Sequence, residues 1–282
     1  MGQPDAEITL TVADVDRMLA AQHPALRGPL RLVANGWDNE VFRLGDDLAV
    51  RLPRRAASAG LIENEQRWLP ELAPRLPLPI PVPLAVGAPT EEYPWRWSVV
   101  PWFAGRRALD GDARTRDALA APLADFLRAL HVAAPADAPI NPVRGVPTAS
   151  RDAAVKARIQ DAPALRALWD DAVAAPRWSG PAVWVHGDVH AGNLVVDDDG
   201  VLRAVIDFGD LCGADPACDL AIAWTGFTAA GRAAFRDRLG DAYDEATWRR
   251  ARGWAVAMAT LVAGDDAMRA MREHALAQLA AE

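Results

Sequence analysis

Apolar positions along this chain fall into two regimes. In the first third they come in short β-prone runs over residues 30–34, 40–44 and 48–52. The loops Asn35-Gly36-Trp37-Asp38-Asn39 and Gly45-Asp46-Asp47 separate those runs. Strand-length runs between Gly/Asn/Asp turns predict an antiparallel meander. Ahead of it, Thr11 can cap a helix with Val12, Val15, Met18 and Leu19 on one face. Behind it a helix starts near Ser58, and Leu61, Glu65, Trp68 and Leu72 recur at i, i+4, i+7 and i+11. Glu65 thus lies on an apolar stripe, and Pro70 is expected to end or bend the helix. The proline-dense residues 76–86 start extended and finish as an edge strand, and another strand runs from about residue 94 into Val100-Pro101-Trp102-Phe103.

From Asp112 the period becomes helical. Leu119, Leu123, Phe126, Leu127 and Leu130 form one stripe, with Pro122 marking a kink or a start and His131 a structural histidine at its end. Residues 135–147 read as a Pro/Ala-rich connector and residues 153–175 as one or two amphipathic helices. Strand-and-turn character returns over residues 183–219, in one short sheet of strands at 183–185, 194–196 and 201–206. Helices over residues 229–239, 244–263 and 265–281 finish the chain. A small sheet followed by a helical region is an α+β pattern.

Composition narrows the function. The 282 residues, half of them hydrophobic, suffice for one large domain or two lobes. A net charge of −8 argues against nucleic acid as a partner and leans toward a cationic small molecule. Cys212 and Cys218 supply neither a disulfide framework nor a zinc site, so reduced thiols and a cytoplasmic location are expected. No signal peptide is expected, since no basic segment followed by an apolar run opens the sequence, and no membrane partner, since no apolar run reaches spanning length. Lys156 is the only lysine. The oligomeric state is not encoded in any pattern along the chain.

The candidate chemistry sits at the strand ends of residues 183–219. Asp188 follows the first strand, Asn193 lies five residues on, and Asp207 ends the last strand. Phosphoryl transfer needs a carboxylate near the attacking hydroxyl and hard oxygen ligands for Mg²⁺, and these three side chains are of the right kinds. The acidic turn Asp197-Asp198-Asp199-Gly200 reads as a solvated hairpin tip.

Three blocks together resemble the aminoglycoside phosphotransferase family, which shares the protein-kinase-like fold and includes macrolide phosphotransferases and choline-kinase-like enzymes. They are His186-Gly187-Asp188 with Asn193, Ile206-Asp207-Phe208-Gly209, and Gly213, Asp215, Pro216 and Asp219. The resemblance implies a bilobal fold: a nucleotide-binding lobe of antiparallel sheet plus helix over residues 1–103, ending in a hinge, and a mainly helical lobe with a catalytic β-hairpin over residues 104–282. It implies ATP or GTP and Mg²⁺ as cofactors, and an alcohol acceptor such as an aminoglycoside or macrolide antibiotic. Asp188 would orient the acceptor hydroxyl, and Asn193 and Asp207 would ligate the metal. Gly36 and Asn39 would lie in the loop over the phosphates. Val100 would flank the adenine, with the Pro101 carbonyl and the Phe103 amide binding its edge. His186 and Asp219 would brace the catalytic loop.

One position departs from the pattern. Arg51 stands where the family has lysine, and a guanidinium can grip an α- or β-phosphate in its place. A core-facing Glu65 predicts an Arg51–Glu65 ion pair, with Glu63 pointing to another face. Arg54 and Arg55, after Pro53, are alternatives for that grip on phosphate, although a solvated basic turn fits them better. Trp224, Trp254, Asp265, Asp266 and Glu273 could meet a cationic acceptor, although core and helix-end roles fit them better. The alternatives are a metabolic kinase for an amino alcohol or sugar, and a nucleotide-binding scaffold, which the missing lysine motivates. A protein kinase is disfavoured, because only a few residues separate Gly209 from the Asp215-Pro216 helix start.

Overall fold

A computed structural model describes residues 4–261 and 266–281. The chain divides into two compact units: one runs to Pro74 and includes Pro79–Ala104, and the other takes Arg75–Leu78 and everything from Gly105 onward.

The first unit opens with α1 (Val12–Gln22), started by a capping box in which Thr11 and Asp14 satisfy each other's backbone N–H groups. The meander follows as β1 (Leu30–Asn35), β2 (Asn39–Leu44) and β3 (Leu48–Pro53). Then come α2 (Ala56–Leu72), β4 (Ala85–Gly87) and β5 (Trp97–Pro101). The five strands form an antiparallel sheet in the order β1-β2-β3-β5-β4. Its apolar face joins α1 through Val15, Leu19, Phe42, Val50, Leu52, Trp97 and Val99. Gly87 is required there, because a Cβ would lie 1.7 Å from the Trp97 ring. The helix α2 does not end at Pro70 but continues to Leu72. Near a C-terminus the proline costs a single backbone bond, and Leu69 and Leu72 keep the last turn buried.

The second unit contains β6 (Arg106–Arg107), α3 (Ala113–Arg116), α4 (Ala120–Leu130), α5 (Asp152–Arg158) and α6 (Pro163–Ala174). The motif region supplies β7 (Val183–Val185), β8 (Leu194–Val196), β9 (Leu202–Val205) and β10 (Cys212–Ala214). Next are α7 (Ala217–Leu220), α8 (Ile222–Thr225), α9 (Ala229–Leu239), α10 (Glu245–Ala259) and α11 (Asp266–Ala280). The strands of the motif region do not share one sheet as expected. β7 pairs with β10, while β8 and β9 form a hairpin extended by β6. The loop between β7 and β8 therefore links two separate ladders.

Around those ladders the helices bury Leu123, Phe126, Leu127, Trp169, Trp224 and Phe235. Trp224 and Trp254 are core side chains, 2% and 3% exposed, and so are not available to an acceptor. Asp266 is exposed and pairs with Arg269 at 2.8 Å, and Glu273 is exposed. Asp265 lies outside the described residues.

Candidate active site

In the first unit, Arg51 lies on the central strand β3, in register with Val41 on one side and Ser98 on the other. The buried face of α2 runs through Ser58, Ile62, Glu65, Leu69 and Leu72, so Glu65 is delivered to the sheet. Arg51 NH1 donates to Glu65 Oε2 at 2.6 Å, with the two side chains 10% and 2% exposed. Glu63 is exposed, with Arg96 4.0 Å away.

Gly36 and Asn39 close the β1–β2 turn, with the Gly36 N–H donating to the Asn39 carbonyl at 2.9 Å. A Cβ at Gly36 would meet that carbonyl at 3.1 Å. Asn39 Oδ1 is buried with no hydrogen-bond partner among the described residues. Arg54 and Arg55 are not a solvated turn. Arg54 is 6% exposed and donates to the Gly36 carbonyl at 2.8 Å. Arg55 donates to Asp38 Oδ1 at 3.0 Å, and the Ser58 hydroxyl donates to the same oxygen at 2.6 Å. These bonds staple the turn to the start of α2. Val100 is buried in β5 opposite Ala49, and Pro101 ends that strand opposite Leu48. Phe103 follows, half-buried, after Trp102, whose N–H donates to the Asp47 carbonyl and whose ring lies 4.3 Å beneath Arg43.

In the second unit the β7–β8 loop is braced from below by Asp219, which is fully buried. Its Oδ2 accepts the His186 N–H at 2.7 Å and its Oδ1 accepts the Gly187 N–H at 2.9 Å. His131 Nε2 meets Oδ2 at 3.1 Å, and the Tyr243 hydroxyl meets His131 Nδ1 at 2.7 Å. Burial pushes the Asp219 carboxyl up, but His131, His186 and the Gly187 N–H outweigh it and hold its pKa below the usual range. His186 accepts the Asp188 N–H on Nδ1 at 3.2 Å, which assigns the proton to Nε2, the atom that donates to the Ile206 carbonyl at 3.0 Å.

Asp188 emerges from this braced loop with its side chain 28% exposed. Arg144 NH2 donates to its Oδ1 at 2.7 Å, and His190 Nε2 lies 3.4 Å from its Oδ2. Burial pushes the carboxyl up, yet the Arg144 charge and then His190 hold it well below the ordinary carboxylate range. Asp188 is therefore an ionised hydrogen-bond acceptor across the physiological range.

Asn193 Nδ2 donates to the Asp188 carbonyl at 3.0 Å, which leaves Oδ1 as its remaining donor atom toward a cation. The Ile206 N–H donates to the Asn193 carbonyl at 2.9 Å, so Asp207 follows one residue after the strand contact. Asp207 is exposed and adopts φ 65°, in the left-handed region that side chains other than glycine disfavour. An amide oxygen and a carboxylate are hard donors, and Mg²⁺ typically takes one or two such groups from protein and the rest from phosphates and water. The donor set fits that ion. Among the described residues no group of three or more His, Cys, Asp or Glu is gathered as a fuller metal cage.

Two residues here had no sequence signal. Arg144 lies in the connector before α5, where no periodicity points to it. Asp210 follows the Ile206–Gly209 block, and its carboxyl is raised by burial, with Asp188 adding to the shift and Arg144 opposing it.

No curated protein matches the sequence. Solved structures do match in fold. The GDP complex of wild-type aminoglycoside 2'-phosphotransferase-IIIa is 16% identical with TM-score 0.69, covering 96% of this chain and 98% of that one. The streptomycin–ATP–APH(2")-IIa ternary complex is 18% identical with TM-score 0.61, covering 96% and 97%. Macrolide 2'-phosphotransferase MphH from Brachybacterium faecium is 21% identical with TM-score 0.62, covering 95% and 97%. Residues 29–254, spanning both the Arg51–Glu65 pair and the Asp188 loop, match the phosphotransferase enzyme family (APH), and the chain belongs to that family.

Proposed function

We propose that the chain transfers the γ-phosphoryl group of ATP or GTP to a hydroxyl of a small molecule, with Mg²⁺. The observation that carries this reading is the Asp188 loop. It presents an ionised Asp188 carboxylate, the Asp188 backbone carbonyl orients Asn193, and Asp207 lies two residues past the end of β9. Asp188 would accept a hydrogen bond from the acceptor hydroxyl and take its proton, a modest demand because the loose transition state asks little of a base. Asn193 and Asp207 would hold Mg²⁺, which neutralises charge on the transferring phosphates.

Residues 1–103 are assigned the nucleotide. Arg51, oriented by Glu65, would grip an α- or β-phosphate. Gly36 and Asn39 would approach the phosphates. Val100, the Pro101 carbonyl and the Phe103 amide would meet the base. Residues 104–282 are assigned the catalytic groups and the acceptor. Structural relatives include complexes with GDP and kanamycin and with ATP and streptomycin, and a macrolide 2'-phosphotransferase, which makes aminoglycosides and macrolides the first acceptor classes to try. A cytoplasmic place is proposed with them, and no described helix is long and apolar enough to cross a membrane.

The metal assignment is tested by titrating Mg²⁺ against turnover for Asn193→Ala and Asp207→Ala. Each variant should need at least tenfold more Mg²⁺ or lose turnover. Wild-type Mg²⁺ dependence in both would remove these residues from the metal site.

A further inference from the structure

Beyond the motif residues, a chain of side chains leads to Asp188 from the connector. Asn141 Nδ2 donates to Asp210 Oδ1 at 2.7 Å. Arg144 Nε donates to Asp210 Oδ2 at 3.1 Å, and Arg144 NH2 donates to Asp188 Oδ1 at 2.7 Å. One guanidinium thus bridges two carboxylates, using the fixed fork that a lysine lacks.

The segment that carries Arg144 is itself tied down. Asn141 Oδ1 accepts the N–H groups of Val143 and Arg144 at 2.8 and 2.9 Å. The Gly213 N–H donates to the Pro139 carbonyl at 3.0 Å. Gly187, at φ 84°, brings the Asp188 loop against Asp210, the anchor of Arg144, and a Cβ there would lie 2.5 Å from the Asp210 carbonyl.

The two oxygens of Asp188 are not equivalent. Oδ1 is taken by Arg144 at full hydrogen-bond strength. Oδ2 faces His190 at 3.4 Å, longer than the usual 2.7–3.2 Å of such a bond. We infer that Arg144 is a positioning residue for phosphoryl transfer: anchored on Asp210, it fixes the Asp188 carboxylate through Oδ1 and reserves Oδ2 for the incoming hydroxyl. The inference rests on Asp188 being the group that orients the acceptor. A carboxylate released from this grip can rotate, and a misplacement of about 1 Å at a reacting group can cost on the order of a hundredfold in rate.

The test uses hydrolysis of Mg²⁺–ATP and Mg²⁺–GTP, with water as the acceptor, so that no acceptor need be known. Arg144→Ala, Arg144→Lys, Asp188→Asn and the Arg144→Ala/Asp188→Asn double variant are compared. Arg144→Ala should lose about a hundredfold in kcat with nucleotide KM unchanged. The double variant should fall no further than Asp188→Asn, because Arg144 acts through Asp188. Free guanidinium should partly restore Arg144→Ala and leave Asp188→Asn unmoved. Arg144→Lys, which keeps the charge, should recover less than tenfold of the loss. Wild-type kcat in Arg144→Ala, additive losses in the double variant, or no guanidinium rescue would each overturn the inference while leaving the role of Asp188 intact. Unchanged hydrolysis in Asp188→Asn would overturn the reading of Asp188 itself, and the inference with it.

Discussion

Substitutions at the Arg51–Glu65 pair test its contribution to stability and its proposed role toward nucleotide separately. Glu65→Ala leaves the guanidinium on the central strand, 10% exposed, without the carboxylate 2.6 Å away. Breaking a buried ion pair from one side costs about 3–5 kcal/mol, because the remaining charge stays desolvated. At about 2–4 °C per kcal/mol for domains of this size class, Tm should fall by roughly 6–20 °C. Replacing both charges, as Arg51→Met with Glu65→Leu, removes the buried cation together with its carboxylate and keeps most of the packing volume. That double variant should recover most of the lost Tm. It should not recover nucleotide binding. A ligand at about a hundred times its Kd adds about 2.7 kcal/mol to the folded state, and the corresponding rise in Tm with Mg²⁺–ATP should appear in wild type and vanish in the double variant. The assay is thermal melting with and without Mg²⁺–ATP and Mg²⁺–GTP. A Glu65→Ala variant that melts like wild type would refute the energetic reasoning. A double variant with the full nucleotide shift would refute the assignment of Arg51 to a phosphate.

Three further outcomes follow from the second unit. Gly187→Ala places a Cβ 2.5 Å from the Asp210 carbonyl at a residue with φ 84°, so kinetics should show at least a hundredfold loss of turnover and melting a lowered Tm. Asp219 has a folded pKa below its unfolded value of about 3.9, so its contribution to stability is present above about pH 4 and is lost as pH falls through the folded pKa. Below about pH 4, wild-type Tm should therefore drop more steeply than that of Asp219→Asn, and parallel curves would contradict this. Burial pushes the Cys212 thiol up to about 12 and the Cys218 thiol well above its ordinary value, so a thiol reagent near pH 8 should label neither until the protein is denatured.

How much of this was legible in the sequence depended on whether the signal was local. The meander, the helix carrying Glu65 and the loop bearing Asp188 and Asn193 announce themselves through period, turn residues and spacing. The Arg51–Glu65 pair forms as expected because a carboxylate on an apolar helical stripe has few places to go. Pairing across the chain had no such signature. The β7 strand joins β10 and not the β8–β9 hairpin, since a three-residue apolar run carries no information about its partner. Arg144 and Asn141 lie in an aperiodic proline-rich connector, and only the fold brings them to Asp188 and Asp210. Arg54 and Arg55 read as a solvated basic turn from composition, but the Gly36 carbonyl and the Asp38 carboxylate hold them to the fold. Trp224 and Trp254 take the core role that fitted them better from the start, the usual destination of a large apolar ring.

The central claim is tested most directly by acceptor-stimulated release of nucleoside diphosphate. Wild type and Asp188→Ala would be run with ATP and with GTP against aminoglycosides, macrolides, amino alcohols and sugars, with Mg²⁺–nucleotide binding measured alongside. The account predicts that one acceptor class stimulates release in wild type, that Asp188→Ala abolishes it, and that both proteins bind nucleotide comparably. Near-normal kcat in Asp188→Ala would contradict it.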